Sequence, residues 1–133
     1  MISKKAAGVV LTSKGAVILC KRIVLYKGKK VPFGGYWSPF TGIIEQGETP
    51  KETAVRELKE ESGVTVREGD LKKIGHIISK TRDLILYSIE LEEFPDINLC
   101  EEHTDKGYFQ IDSLKILPQE YKIDSKIIEC IQK

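Results

Sequence analysis

The alternation of apolar and polar positions divides the chain into short blocks. Two β-branched runs, "AAGVVLT" and "GAVILCKR", flank "SKG" and predict a hairpin that starts near Lys5 and ends near Arg22. The Gly- and Lys-rich stretch "YKGKKVPFGG" predicts an exposed loop, followed by short strands over "YWSPF" and "GIIE". Farther on, "LKKIGHIIS" and "DLILYSIEL" predict two longer strands and "KGYFQI" a third, with "DSLKIL" forming a helical turn before Pro118. The closing "DSKIIECIQK" sets Ile127, Ile128 and Ile131 at helical spacing.

The best-marked element is a helix from about Pro50 to Ser62. Thr49 is a good N-cap, Pro50 takes the first helical position, and Glu52 completes an S/T-x-x-E capping box. Ala54, Val55 and Leu58 supply an apolar stripe, and Gly63 is placed to end the helix in a left-handed turn. Strands on both sides of one strongly capped helix predict a layered α/β or α+β fold.

Nothing in the chain marks a linker or a repeat, so residues 1–133 read as one domain. With 41% hydrophobic and 31% charged residues, an ordered core is expected rather than disorder. Lys+Arg number 21 against 20 Asp+Glu, a net charge of +1 that argues against a dedicated nucleic-acid or membrane-surface partner. A small phosphorylated ligand stays compatible, because a local site needs only a few charges.

The start, "MISKKAAGVV", lacks the apolar core of a secretion signal, and no run approaches the ~18 apolar residues of a membrane span. A soluble cytoplasmic protein is expected. Cys20, Cys100 and Cys130 have no metal-site spacing and read as reduced thiols.

The candidate chemistry lies in "GIIEQGETPKETAVRELKEESGV", Gly42 to Val64. On the predicted helix Glu57, Glu60 and Glu61 stand at i, i+3 and i+4 and share a face. Neither Lys59 nor Arg56 lies squarely on that face. Two readings follow. One is a solvated acidic face, since glutamate is a good helix former. The other is a site for a hard divalent cation such as Mg²⁺, which takes oxygen ligands and is shared with substrate phosphates. Gly42 has no side chain to keep its carbonyl from a cation.

This stretch resembles the Nudix box, G-x5-E-x7-R-E-U-x-E-E-x-G-U, where U is a bulky aliphatic residue. Gly42, Glu48, Arg56, Glu57, Leu58, Glu60, Glu61, Gly63 and Val64 meet every fixed position. The resemblance implies a Nudix-type α/β/α sandwich with a mixed β-sheet. It also implies hydrolysis of a nucleoside diphosphate linked to another moiety, with Mg²⁺ or Mn²⁺ as cofactor. Glu57, Glu60 and Glu61 would bind the metal, with the Gly42 carbonyl as a further ligand. Glu57 or Glu60 would orient or deprotonate the attacking water, while Glu48 and Arg56 would brace the loop against the helix. Many members carry Pro-Gly-Gly just before the box, where this chain has "PFTG".

Members often add an acidic residue late in the chain. "CEEHTDKGYFQIDSL" offers Glu101 and Glu102, of which Glu102, directly before His103, fits the pattern better. His103 reads as a surface histidine and His76 as structural. Trp37 and Phe40 are candidates to stack on a nucleobase, and Arg22 to meet phosphates. The expected partner is a small nucleotide, most simply a nucleoside triphosphate or its oxidised form, with no membrane or stable nucleic-acid partner. Dinucleoside polyphosphates are the alternative substrate, and a nucleotide-binding module without catalysis the alternative class. Monomer and homodimer both remain open.

Overall fold

The computed structural model describes residues 4–133, so residues 1–3 of the one-domain reading and of the N-terminal expectation lie outside the described residues. The predicted hairpin is there. Strand β1 (Lys5–Ser13) turns through Lys14 and Gly15 into β2 (Ala16–Arg22), with Leu11 opposite Ile18. The Lys-rich stretch is more ordered than its composition suggests. It folds into a two-stranded ribbon, β3 (Leu25–Tyr26) and β4 (Lys29–Lys30), around a turn at Lys27 and Gly28.

Next come β5 (Trp37–Ser38), β6 (Phe40–Ile43) and helix α1 (Pro50–Ser62). A 3₁₀ turn, Glu68–Asp70, leads into β7 (Lys72–Ile78) and β8 (Asp83–Glu90). Strand β9 (His103–Gln110) begins three residues before the predicted "KGYFQI". A 3₁₀ segment, Ile111–Ile116, and helix α2 (Ser125–Gln132) end the chain.

One edge of β1 runs parallel to β8 along its whole length, Lys5 opposite Asp83 through Thr12 opposite Glu90. Its other edge is divided: Ala6 to Val9 pair with β6, and Leu11 to Ser13 pair with β2. Strand β2 carries β9 on its far side and β5 near its end. Every pairing but β1–β8 is antiparallel, so the sheet is mixed.

Both faces of the sheet are covered, which explains the unbroken buried run in β1. Val9, Leu11, Ile18, Cys20, Tyr87 and Ile89 form one core with Ala54 and Leu58 of α1. Their neighbours along the strands, Val10, Val17, Leu19, Leu84 and Leu86, belong to cores that include Ile127, Ile128 and Cys130 of α2. The architecture is an α/β/α sandwich. Gly75 lets α2 settle onto β7, since a Cβ there would lie 2.3 Å from Cys130 Sγ. Among the described residues no helix is long and apolar enough to cross a membrane.

Helix α1 has the predicted limits for the predicted reasons. Thr49 Oγ1 accepts from Glu52 N, the Glu52 carboxylate accepts from Thr49 N, and Gly63 stops the helix at φ 81°. Its buried face differs from the predicted stripe: Val55 is only half buried, whereas Thr53, Glu61 and Ser62 are buried with Ala54 and Leu58. Replacing Thr49 with Ala should remove the cap and lower unfolding free energy by about 1 kcal/mol in a urea titration. An unchanged midpoint would show that tertiary packing alone holds the helix start.

Candidate active site

Strand β6 and helix α1 bring the acidic segment into one place. Gly42 lies opposite Ala7 on β1 and directly beneath Glu57: a Cβ at Gly42 would sit 2.0 Å from Glu57 Cδ. Only glycine fits there. Thr41, which stands in "PFTG" where the Pro-Gly-Gly pattern has its first glycine, is accommodated from the other strand: Gly8 faces it, and a Cβ there would lie 2.4 Å from Thr41 Cγ2.

The charge balance of the helix face departs from the sequence reading. Arg56, which helical spacing sets off that face, reaches across it with its long side chain. Nε donates to Glu48 Oε2 at 2.7 Å and Nη2 donates to Glu48 Oε1 at 3.0 Å. Nη1 donates to Glu57 at 2.9 Å and to Glu60 at 3.2 Å, and Nη2 also meets the Ile43 carbonyl at 3.1 Å. Hydrogen bonding to Arg56 is the main reason the Glu48 carboxyl is held down at about 2. The guanidinium in turn is pushed above its ordinary value, chiefly by Glu48.

Glu61 is the exception. The residue is 3% exposed, and among the described residues neither carboxylate oxygen accepts a hydrogen bond from a donor group. Burial is the largest cause that drives its pKa well above the carboxylate range, followed by the facing Glu57; Glu102 pushes the same way and Arg22 opposes it. Glu57 and Glu61 are thus brought together, whereas the Glu60 side chain is half exposed and leans on Arg56. Among the described residues, no three acidic, His or Cys side chains close into a ready cage.

His103, expected at the surface, is buried at 6% exposure, with Nε2 3.6 Å from Glu61 Oε1. Burial lowers its pKa to about 4, with a smaller contribution from Arg22. The sequence hides this because the polar segment 98–103 hangs from α1: Asn98 N donates to Ser62 O at 3.0 Å and Cys100 N to Glu61 O at 3.3 Å. His76, by contrast, is an exposed residue paired with Asp83 at 2.6 Å. The loop acids also separate. Glu101 accepts from the Tyr26 hydroxyl at 3.2 Å, while Glu102 acts on Glu61 electrostatically.

Beside this cluster lies a cleft lined by Arg22, Phe33, Trp37, Thr41, Arg82 and Asp124, among others. Arg22 both lines the cleft and acts on Glu61. Arg82 pairs with Asp124 at 3.0 Å and lies 5.1 Å from the exposed Phe33 ring. Trp37 borders the cleft but is mostly packed, edge-on to Phe109 with centroids 5.4 Å apart. Phe40 is 0% exposed and belongs to the core against α1. It offers no ring face to a ligand, which corrects its expected stacking role. The alternating strand β6 turns it inward, under His103, at 6.2 Å between centroids.

A family model for the NUDIX domain matches residues 2–129. The chain belongs to the Nudix family. Among curated relatives, it is 45% identical over 62 residues to the oxidized purine nucleoside triphosphate hydrolase of Mus musculus, covering 46% of this chain and 38% of that protein. It is 29% identical over 91 residues to the asymmetrical bis(5'-nucleosyl)-tetraphosphatase of Sus scrofa, covering 63% of this chain and 62% of that one. The matches thus span less than two thirds of either relative. A crystal structure of a MutT NUDIX hydrolase from Burkholderia pseudomallei shares the fold, with TM-score 0.77 at 18% identity over 99% of this chain and 98% of that one.

The donors of this Nudix site suit a hard divalent cation. They are oxygens only, among the described residues two of them are buried without partners on Glu61, and the bare Gly42 lets the Glu57 carboxyl lie directly against the β6 backbone. The same features make Glu61 a cost to the metal-free fold. Because folding raises its pKa, the folded chain keeps that proton to higher pH than the unfolded chain, so stability falls as pH climbs above the carboxylate range. In chelator near pH 8, Glu61→Gln should therefore be more stable than the parent by about 1–3 kcal/mol, and the gap should close near pH 4. A less stable variant in thermal unfolding at pH 8 would mean that Glu61 has a compensating partner.

Proposed function

We propose that this chain hydrolyses a nucleoside diphosphate linked to another moiety, most simply a nucleoside triphosphate, with Mg²⁺ or Mn²⁺. The observation that carries this reading is the pair of orphaned, buried Glu61 oxygens set against Glu57 and the bare Gly42 in a complete box. A purely structural acidic helix would leave such a group in water. A binding module has no need of the full set of carboxylates.

Glu57, Glu61 and the Gly42 carbonyl would hold the cation, with Glu60 joining them from the exposed end of the same face. When bound, the cation neutralises anhydride oxygens and lowers the pKa of water. Water attacks one phosphorus, the bond to the bridging oxygen breaks, and Glu57 or Glu60 takes the proton from the water. Glu48 and Arg56 keep loop and helix in register for that geometry. Arg22 stands between the carboxylates and the cleft, where it can meet substrate phosphates, and Trp37 lines the wall that would receive the base.

Dinucleoside polyphosphates are a second substrate reading, supported by the longer match to the tetraphosphatase relative. The free thiols Cys20, Cys100 and Cys130 fit a reducing compartment such as the cytoplasm. The chain would work as one domain on a small nucleotide, without a membrane or a stable nucleic-acid partner.

A panel of nucleoside triphosphates, their oxidised forms and dinucleoside polyphosphates, with products resolved by chromatography, tests both readings. Activity should vanish in chelator and return with Mg²⁺ or Mn²⁺. Full turnover in chelator would end the metal-based mechanism, and cleavage of none of the substrates would favour the binding module. The loop acids provide a separate check. Glu102→Gln should lower kcat about tenfold or more, ~1.4 kcal/mol, with Glu101→Gln nearly silent. The reverse order would move the active loop position to Glu101.

A further inference from the structure

Among the described residues, the buried side-chain nitrogen and oxygen atoms that lack a hydrogen-bond partner number three, and they meet at one point. They are Oε1 and Oε2 of Glu61 and Nε2 of His103. Orphaned polar atoms in a protein interior are costly, and their concentration in a candidate site calls for a cause. A metal on Glu61 accounts for part of the carboxylate's needs, but it accounts for nothing at His103.

The histidine is delivered to that point by the backbone. Segment 98–103 is bonded to the last turn of α1 at Ser62 and Glu61, and His103 N then donates to Cys100 O at 3.2 Å. That turn places the imidazole under the helix end, with its Nδ1 3.8 Å from Cys100 Sγ. A thiol can donate to Nδ1, and a neutral ring accepting there carries its hydrogen on Nε2. Nε2 faces Glu61 Oε1 across 3.6 Å, so an approach of about half an ångström brings the pair into ordinary N–H···O range.

We propose that His103 is a positioning residue: it holds Glu61 Oε1 through its Nε2–H, with the Cys100 thiol fixing the tautomer, and so turns the other oxygen toward the cation. Carboxylates that bind metals are commonly held in this way by an outer hydrogen bond. The inference rests on the reading of Glu61 as a metal ligand, and it assigns a task to a residue outside the box.

The test uses the full chain and Mn²⁺ alone, with free ion followed by electron paramagnetic resonance. Glutamine at 103 can place an amide N–H near the Nε2 position, whereas asparagine reaches only as far as Nδ1. His103→Asn should bind Mn²⁺ about tenfold or more weaker than the parent, and His103→Gln within about threefold of it. Thermal unfolding in chelator should be alike for the two variants, so that the contrast reports orientation and not folding. Should either variant fail to fold, Cys100→Ser against Cys100→Ala gives the same contrast, with the serine variant binding Mn²⁺ more tightly. Parent-like affinity in His103→Asn, equal losses in both histidine variants, or equal affinity in the two cysteine variants would overturn the positioning role while leaving the metal reading intact. A parent chain that binds no Mn²⁺ would overturn both.

Discussion

The guanidinium of Arg56 is the contact on which the acidic segment depends. A helix face with glutamates three and four residues apart repels itself, and the loop before it adds Glu45 and Glu48. Arg56 answers four of these carboxylates, at distances from 2.7 to 3.7 Å, and takes the Ile43 carbonyl as well. Its planar fork makes this possible: one edge grips Glu48 with two nitrogens while Nη1 serves the helix. A lysine ammonium carries the charge but cannot span that width. Through Arg56 the end of β6, the loop and the first turns of α1 become one rigid piece, and Gly42 is pressed under Glu57 as a result.

Glu61 stands outside that arrangement and is defined by the contrast. One turn along the same helix, its carboxylate has no Lys or Arg within ion-pair distance among the described residues, is nearly closed to water, and faces another carboxylate. Among the glutamates of segment 42–64, Glu45, Glu48, Glu52, Glu57 and Glu60 each find an internal partner and Glu61 is left without one, where a positive ion has most to gain. In the proposed metal-dependent reading, affinity for a cation would come from that imbalance as much as from the number of oxygens.

Much of the fold could be read from the residues. The ends of α1 follow from Thr49, Pro50, Glu52 and Gly63, all local signals, and the first hairpin follows from Ser13-Lys14-Gly15 between apolar runs. The box itself names its own residues. What escaped the sequence depends on contacts between distant segments. Phe40 looks like an accessible aromatic near the site until β6 is paired with β1 and turns it inward. His103 looks exposed because its neighbours are polar, yet those neighbours are tied to the end of α1. Arg56 lies off the acidic face by helical angle, and only the reach of its side chain puts it there. In the Lys-rich stretch, composition shows an exposed loop but not the two short strands that form within it.

The divided edge of β1 leaves the open sides of the sheet to other strands, and β7 forms one of them, paired among the described residues with β8 alone. An open strand is a template on which a second chain can grow. Here the register slips between Lys73 and Gly75, and Lys72 and Lys73 stand exposed at the start of the strand. The irregularity bends the row of free amides and carbonyls, and two like charges meet any strand that tries to align with it. The sheet is protected from aggregation on that side by charge and by a break in rhythm, with no need of a covering helix.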